Sequence, residues 1–252
     1  MSSSQELLST LEQITDLPVL VIGDLILDQY IWGKVDRISP EAPVPIVHVR
    51  RTEDRLGGAG NAVRNLRSLG ARVELCGILG DDDEGRRLLN LFLESGIGHD
   101  SVFVDSSQPT SLKTRVIAHS QQVVRIDRED LAPWPLASTQ LFLDTVRERA
   151  LKAKVIVISD YGKGTITEPC LKLLAQLRES GELQAPVVVD PHPANYNSYS
   201  NITVAKPNRL EAEKASGIEI VDQASAVQAA QVLLERWKAD MMLITLGEDG
   251  LV

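Results

Sequence analysis

The sequence predicts a three-layer α/β protein built on a mostly parallel sheet, with a small β lid made from two insertions. Three observations carry this expectation. Apolar runs such as PVLVIG at 18–23 alternate with amphipathic stretches of helical period. Two pairs of strand-like segments interrupt that alternation. Between those pairs the glycine-rich stretch Gly57-Gly58-Ala59-Gly60-Asn61 runs into a helix marked by Val63, Leu66 and Leu69.

Taken in order, Leu7, Leu8, Leu11 and Ile14 share one face of a short amphipathic helix, and the absence of Lys and Arg there excludes a secretory signal. Residues 18–23 form a continuous apolar run ended by a turn, as expected of a buried parallel strand. Asp24 follows it directly and Asp28 comes four residues later. Carboxylates just past the carboxyl end of such a strand sit where open α/β sheets hold ligands. Asp24 as a plain turn cap is the alternative. Residues 29–50 then leave the alternation: 30–32 and 44–49 are strand-like, and Pro40 and Pro43 suit an edge or an excursion. A second pair, 112–118 and 122–127, is separated by His119-Ser120-Gln121. These two inserts, about 29–50 and 112–127, are expected to form the lid, whose apolar face needs a partner. Further strands are expected at 72–79, 101–104, 155–159, 187–190, 201–205 and 241–245. Helices are expected at 83–95, 138–152, 168–180, 208–216 and 223–237. Asp81-Asp82-Asp83 lacks the rest of a calcium loop and caps a helix. The three tryptophans are expected to pack rather than to stack on a ligand.

The glycine stretch is expected to begin as a bare turn. Glycines let another molecule approach the backbone, and the first N–H groups of the helix favour polar or anionic groups. It does not complete a dinucleotide fingerprint, because Val63 stands where the third glycine belongs. Gly162-Lys163-Gly164 likewise lacks the hydroxyl of a P-loop. A helix start with flexible glycines and no ligand is the alternative.

Composition narrows the partners. A net charge of -9 argues against nucleic acid, so any anionic substrate must be met by locally placed cations. Cys76 and Cys170 stand alone, as in a reducing cytosol, and the four histidines show no metal spacing. No apolar run is long enough to span a membrane. A cytoplasmic protein of 252 residues with a full core is expected.

Four stretches then occur in a telling order: Gly23-Asp24-x-x-x-Asp28, Gly57-Gly58 with Asn61, Asn208-Arg209-Leu210-Glu211, and Thr245-x-Gly247-x-x-Gly250. Together they resemble the ribokinase-like, phosphofructokinase-B type carbohydrate kinases over nearly the whole chain. The segments 37–45, 121–127 and 159–164 further resemble the D-glycero-D-manno-heptose-7-phosphate kinases, often the first half of a bifunctional protein fused to a nucleotidyltransferase. The resemblance implies a single ribokinase-like domain over 1–252 that phosphorylates a sugar phosphate with ATP and Mg²⁺ in ADP-heptose and lipopolysaccharide synthesis. It places Asp24, Asp28, Gly57, Gly58 and Asn61 on the sugar. It offers Lys113, Arg115 and Arg125 from the lid and Lys163 from the sheet edge for the phosphate, with a solvated charged face as the alternative for each. It puts Asn208, Arg209, Leu210, Glu211, Thr245, Gly247 and Gly250 around the nucleotide, with Glu211 reaching the metal through water. A homodimer through the lid is also implied. Another sugar kinase of the family, or a catalytically inactive binding module, are the competing readings.

One feature of the family is missing from these residues. No Gly-Ala-Gly-Asp occurs in the sequence, so the aspartate that deprotonates the attacking hydroxyl lies beyond residue 252. The domain is expected to be incomplete at its carboxyl end, and the 252-residue chain alone to transfer no phosphate.

Overall fold

The computed structural model describes residues 4–130, 132 and 134–252, without the side chains of residues 4, 5 and 7, so the expected Leu7 contact lies outside the described residues. In chain order the strands are β1 (Pro18–Gly23), β2 (Leu25–Ile38), β3 (Pro45–Gly58), β4 (Arg72–Gly80), β5 (Val102–Asp105), β6 (Ser111–Ala118), β7 (Gln121–Arg128), β8 (Val155–Ser159), β9 (Val187–Asp190), β10 (Val204–Ala205) and β11 (Met241–Met242). The helices are α1 (Ser4–Ile14), α2 (Ala59–Ser68), α3 (Asp83–Glu94), α4 (Leu136–Ala150), α5 (Glu168–Glu179), α6 (Arg209–Ser216) and α7 (Gln223–Trp237).

The large sheet runs β11-β10-β9-β8-β1-β4-β5 with every pairing parallel. Helices cover both of its faces, and β1 shows why its apolar run is unbroken. Leu20 and Ile22 point into a core shared with α4 to α7, whereas Val19 and Val21 point into one shared with α1 to α3. A strand buried on both sides has no polar face to alternate with. Asp82 caps α3 by accepting from Gly85 N at 2.8 Å, so the acidic run serves the helix as expected. Both cysteines are free and buried, and burial pushes each thiol up to about 12.

The second sheet, β3-β2-β6-β7, is the lid, and it is larger than the sequence suggests. A single residue, Asp24, separates β1 from β2, and β3 runs on to Gly58. The alternation is masked because one face of each lid strand is charged or aromatic: Asp28, Tyr30 and Trp32 on β2, Arg51, Glu53 and Arg55 on β3. The Gly57-Gly58 pair is therefore not a bare turn. Gly57 pairs with Ile26 and Gly58 with Leu25, and the helix begins only at Ala59. Gly58 holds φ 53°, which side chains resist, and a Cβ there would strike the Asp24 carbonyl.

At the other edge, β10 and β11 are two residues each rather than five. Pro207 offers no N–H, but the ladder's direction persists through Leu243 N to Ala205 O at 2.9 Å and Thr245 N to Pro207 O at 3.0 Å. Among the described residues no helix is long and apolar enough to cross a membrane.

Candidate active site

The carboxyl ends of β1, β8, β9 and β10 form one rim, and the residues that follow each strand meet there. Asp24 sits at its centre, but not as a surface carboxylate. It is fully buried. Its Oδ2 accepts from Tyr161 N at 2.7 Å and Lys163 N at 3.1 Å, and its Oδ1 accepts from Thr165 N at 3.0 Å. Gly162 and Gly164 hold positive φ between those donors, which turns every second N–H inward onto the anion. In this structure Asp24 anchors the loop 160–165 and presents no oxygen to a sugar. Placing Asp24 on the sugar is thus corrected by its burial.

Asp28, unlike Asp24, is only partly buried. Its Oδ1 accepts from Arg115 at 2.6 Å, and a Cβ added to Gly57 would lie 2.6 Å from its Oδ2. Gly57 is bare because the Asp28 carboxylate lies against it. The lid register extends this contact into two rows on one face. Arg55, Asp28, Lys113 and Asp127 form the first; Glu53, Tyr30, Arg115 and Arg125 form the second. Arg55 and Arg115 both lie over the Tyr30 ring, at 4.7 and 5.4 Å from its centroid. Arg125 pairs with Asp127 at 3.0 Å and is the most exposed of the three expected lid cations. Trp32 packs within the lid: it stacks on Tyr30 and carries Arg51 over its ring. Asn61, in the first turn of α2, accepts from Arg64 at 2.8 Å.

Lys163 does not come from the sheet edge. β8 lies inside the sheet, between β1 and β9, and Lys163 pairs with Glu129 of the lid connection at 2.7 Å.

On the far side of the rim, Asn208 and Glu211 form a reciprocal capping box. Asn208 Oδ1 accepts from Glu211 N at 2.9 Å, and Glu211 Oε2 accepts from Asn208 N at 2.8 Å. One Glu211 oxygen remains outside that exchange. Burial raises the Glu211 pKa and neighbouring Asp190 adds to the rise. Asp190 itself pairs with Lys206 at 2.8 Å. Thr245 bridges to Asn208, and a turn at Gly247–Asp249 closes a hairpin in which Leu246 N donates to Gly250 O at 2.8 Å. Arg209 is committed to that hairpin, donating to Asp249 at 2.5 Å, and Leu210 is exposed. A cleft of about 350 Å³ lies beside it, lined by Arg209, Val221, Asp222, Leu246, Asp249 and Leu251. A further cleft of about 210 Å³ opens at the amino ends of β1 and β4, away from every candidate residue.

Three rim residues escaped sequence reasoning: Asp160, Asp190 and His192. Each ends or closely follows a parallel strand, and that position was the available signal. Asp160 is buried, accepting from Gly162 N at 2.8 Å, Asn195 at 2.7 Å and Tyr199 at 2.5 Å. Burial pushes its pKa up to about 6 against those hydrogen bonds, with Asp24 adding to the rise. Burial raises the Tyr161 pKa, and the charge of Asp190 adds to the rise.

A family model for "pfkB family carbohydrate kinase" matches residues 17–252. The chain belongs to that family. Curated relatives include the bifunctional protein HldE of Pelobacter propionicus, 46% identical over 243 residues covering 96% of this chain and 49% of that protein. HldE of Citrifermentans bemidjiense is 46% identical over 247 residues, covering 98% of this chain and 50% of that protein. The chain thus spans about half the length of the curated relatives it matches. Among solved structures, phosphofructokinase-2 from Escherichia coli in complex with substrates and products superposes with a TM-score of 0.75 at 19% identity, covering 93% of this chain and 74% of that one. Arabidopsis thaliana ribokinase complexed with ribose and ATP gives 0.66 at 16% identity, covering 94% and 74%. The fold is ribokinase-like.

Proposed function

We propose that this chain is the kinase half of a bifunctional ADP-heptose synthesis protein. It would bind D-glycero-D-manno-heptose 7-phosphate under the lid and, in the longer protein, serve its ATP-dependent conversion to the 1,7-bisphosphate. The observation that carries this reading is the Asp28 carboxylate lying against bare Gly57, with Lys113 and Arg115 beside it on the lid. A carboxylate beside a bare backbone suits sugar hydroxyls; cations in the adjoining rows suit a sugar already phosphorylated. The likeness to HldE proteins supports the heptose over other sugars.

Each remaining group has a part in this reading. Asp28, Gly57, Gly58 and Asn61 orient the ring, and Asp24 acts one step removed by shaping the loop that carries Lys163. Lys113, Arg115, Arg125 and Lys163 meet the phosphate, Arg as a fork and Lys as a point charge. The turn of Asn208, Glu211, Thr245, Gly247 and Gly250 borders ATP. Among the described residues no cluster of three or more acids, histidines or cysteines could hold a metal ion. The uncommitted oxygen of Glu211 nevertheless fits Mg²⁺ held through water, because that ion keeps several waters and leans on substrate phosphates. When bound, the ion neutralises charge on the phosphates. In the transfer, the anomeric oxygen bonds to the γ-phosphorus as the bond to ADP breaks, and its proton passes to a base. Neither Asp24 nor Asp160 is free for that task, and the sequence holds no Gly-Ala-Gly-Asp. The 252-residue chain alone should therefore bind the sugar phosphate weakly and turn over none. The exposed Val123, Val124 and Ile126 of β7 support a homodimer through the lid.

The test is an ADP-release assay on the protein extended to the full length of its relatives, comparing the heptose 7-phosphate with fructose 6-phosphate and ribose. Preference for the heptose supports the reading. Equal or better turnover of another sugar would transfer the assignment to a sibling kinase, and steady turnover by the 252 residues alone would refute the missing-base argument.

A further inference from the structure

We propose that Arg87 of α3 is a positioning residue for the sugar site: it braces the back of the lid at the level where the front carries Asp28, Arg55 and Lys113. The inference rests on the sugar-phosphate kinase reading, and it concerns contacts to which that reading gives no task.

A side-chain period of two puts Asp28 and Gln29 on opposite faces of β2. The register gives Gln29 the partners Asp54 on β3 and Thr114 on β6, so a polar row crosses three strands behind Arg55, Asp28 and Lys113. Hydrogen bonds join that row. Thr114 Oγ1 donates to Gln29 Oε1 at 3.3 Å, and Gln29 Nε2 donates to Asp54 Oδ1 at 3.3 Å. Arg87 ends the row as a fork, with Nε 2.8 Å from Asp54 Oδ2 and Nη2 2.5 Å from Oδ1. The start of α3 also reaches the remaining lid strand, where Glu84 pairs with Arg128 at the end of β7. Asp82, the cap of α3, accepts from Thr110 N at 2.8 Å, immediately before β6. One end of a single helix thus holds every strand of the lid, directly or through Gln29.

Position along the strands gives the fork its purpose. β2 leaves the large sheet at Asp24 and β3 returns to α2 at Gly58, so both strands are rooted at one end. Apolar contact secures that root: Leu27 and Leu56 pack in one core with Leu88 and Phe92 of α3. Full burial of β2 stops at Leu27. Gln29 and Asp54 are the next residues outward on the same face, and there the fork takes over from apolar packing. Leucines can slide past one another, whereas a bidentate guanidinium–carboxylate pair fixes both distance and orientation. Side-chain exposures of 33% for Arg87 and 23% for Asp54 shield this pair from solvent, unlike the neighbouring Arg86–Asp83 pair at 60% and 83%. Without the fork the lid is free to tilt about its root, carrying Asp28 and Lys113 out of place. The lid groups meet the sugar phosphate in the proposed reading, and the turn at Asn208–Gly250 meets ATP. The cost of losing the fork therefore falls on one substrate.

The test follows ADP release by the protein extended to the full length of its relatives, with Arg87→Ala, Asp54→Ala and the double variant. Arg87→Ala should raise KM for the heptose 7-phosphate by roughly ten- to a hundredfold, the scale of a small misplacement, and leave KM for ATP unchanged. Asp54→Ala should do the same, and the double variant should be no worse than either, because both remove one contact. Arg87→Lys keeps the charge and loses the fork; it should show a smaller rise, and it carries the test should the alanine variants fail to fold. Amide hydrogen exchange in Arg87→Ala should quicken in β2, β3 and β6 but not in β1, β4 and β8. A lower melting temperature with both KM values unchanged would mark a merely structural pair and overturn the inference. A common rise in both KM values, or additive effects in the double variant, would overturn it too. If the unaltered protein turns over no sugar phosphate, the kinase reading falls and takes the inference with it. Normal turnover with no change of KM in Arg87→Ala sinks the inference alone.

Discussion

Replacing Asp24 by Asn separates two jobs that the sequence could not tell apart. As a sugar ligand, Asp24 would affect KM and leave stability alone. As the anchor of the loop 160–165, it should do the reverse. The carboxylate takes three backbone N–H groups, two on Oδ2 and one on Oδ1. An asparagine can keep one side of that set, but its amide nitrogen then confronts a donor on the other. A hydrogen bond to a charged group contributes about 1.5–3 kcal/mol, and a buried donor left without an acceptor costs about 1–3 kcal/mol. The loss of one bond and the weakening of two others puts Asp24→Asn at roughly 2–4 kcal/mol, the range in which burial of mismatched polar groups is recognised. Urea unfolding should show this as a lower midpoint with an unchanged slope. A second readout is specific to charge. Asp24 helps to raise the Asp160 pKa to about 6, so removing it should bring the Asp160 midpoint down towards ordinary carboxylate values. A change below about 0.5 kcal/mol, the size expected of a surface substitution, would refute the anchoring role.

Three other outcomes follow from the same geometry. Gly57→Ala should displace the Asp28 carboxylate, whose Oδ2 lies 2.6 Å from the new Cβ, raising KM for the sugar phosphate by roughly ten- to a hundredfold with little effect on melting. Arg115→Ala should raise that KM more than Arg125→Ala does, because Arg115 is half-buried and held by Asp28 whereas Arg125 is solvated; equal effects in steady-state kinetics would contradict it. The Asp160 carboxyl should titrate near 6 by carbon NMR. Its folded pKa is raised, so the folded state binds the extra proton between about 4 and 6, and this group's contribution to stability falls as pH rises through that window. A midpoint near 4 would show that the Asp160 site is wet.

What the sequence made legible was periodicity, and what it hid was burial. The apolar runs marked β1, β4, β8 and β9, since a strand covered on both faces has no polar positions to confuse the reading. Period two alone places Lys113 and Arg115 on one face of β6, and Asp28 of the neighbouring strand lies on that face too. The same rule concealed the far half of the hairpin, where RTEDR at 51–55 looks like a loop because one of its faces meets solvent and charge. Asp24 and Asp28 illustrate the deeper limit. Both are acids after the same strand, four residues apart, and only the chain returning at 161–165 decides that one is sealed and the other open.

That returning loop also explains how the site could work as a unit. Asp24 and Asp160 bind the N–H groups of residues 161, 162, 163 and 165. They thereby fix the backbone beneath Lys163 and seat Gly162 against His192. Two carboxylates buried side by side repel, and the raised Asp160 pKa records that tension as well as its burial. The inward row of amides answers the repulsion without drawing on a side-chain cation. The acids therefore organise the loop that carries Lys163, and in the proposed reading the cations are left to meet the phosphate. On this argument the net negative charge of the chain and its proposed anionic substrate are compatible, because the acids nearest the site have already found their donors.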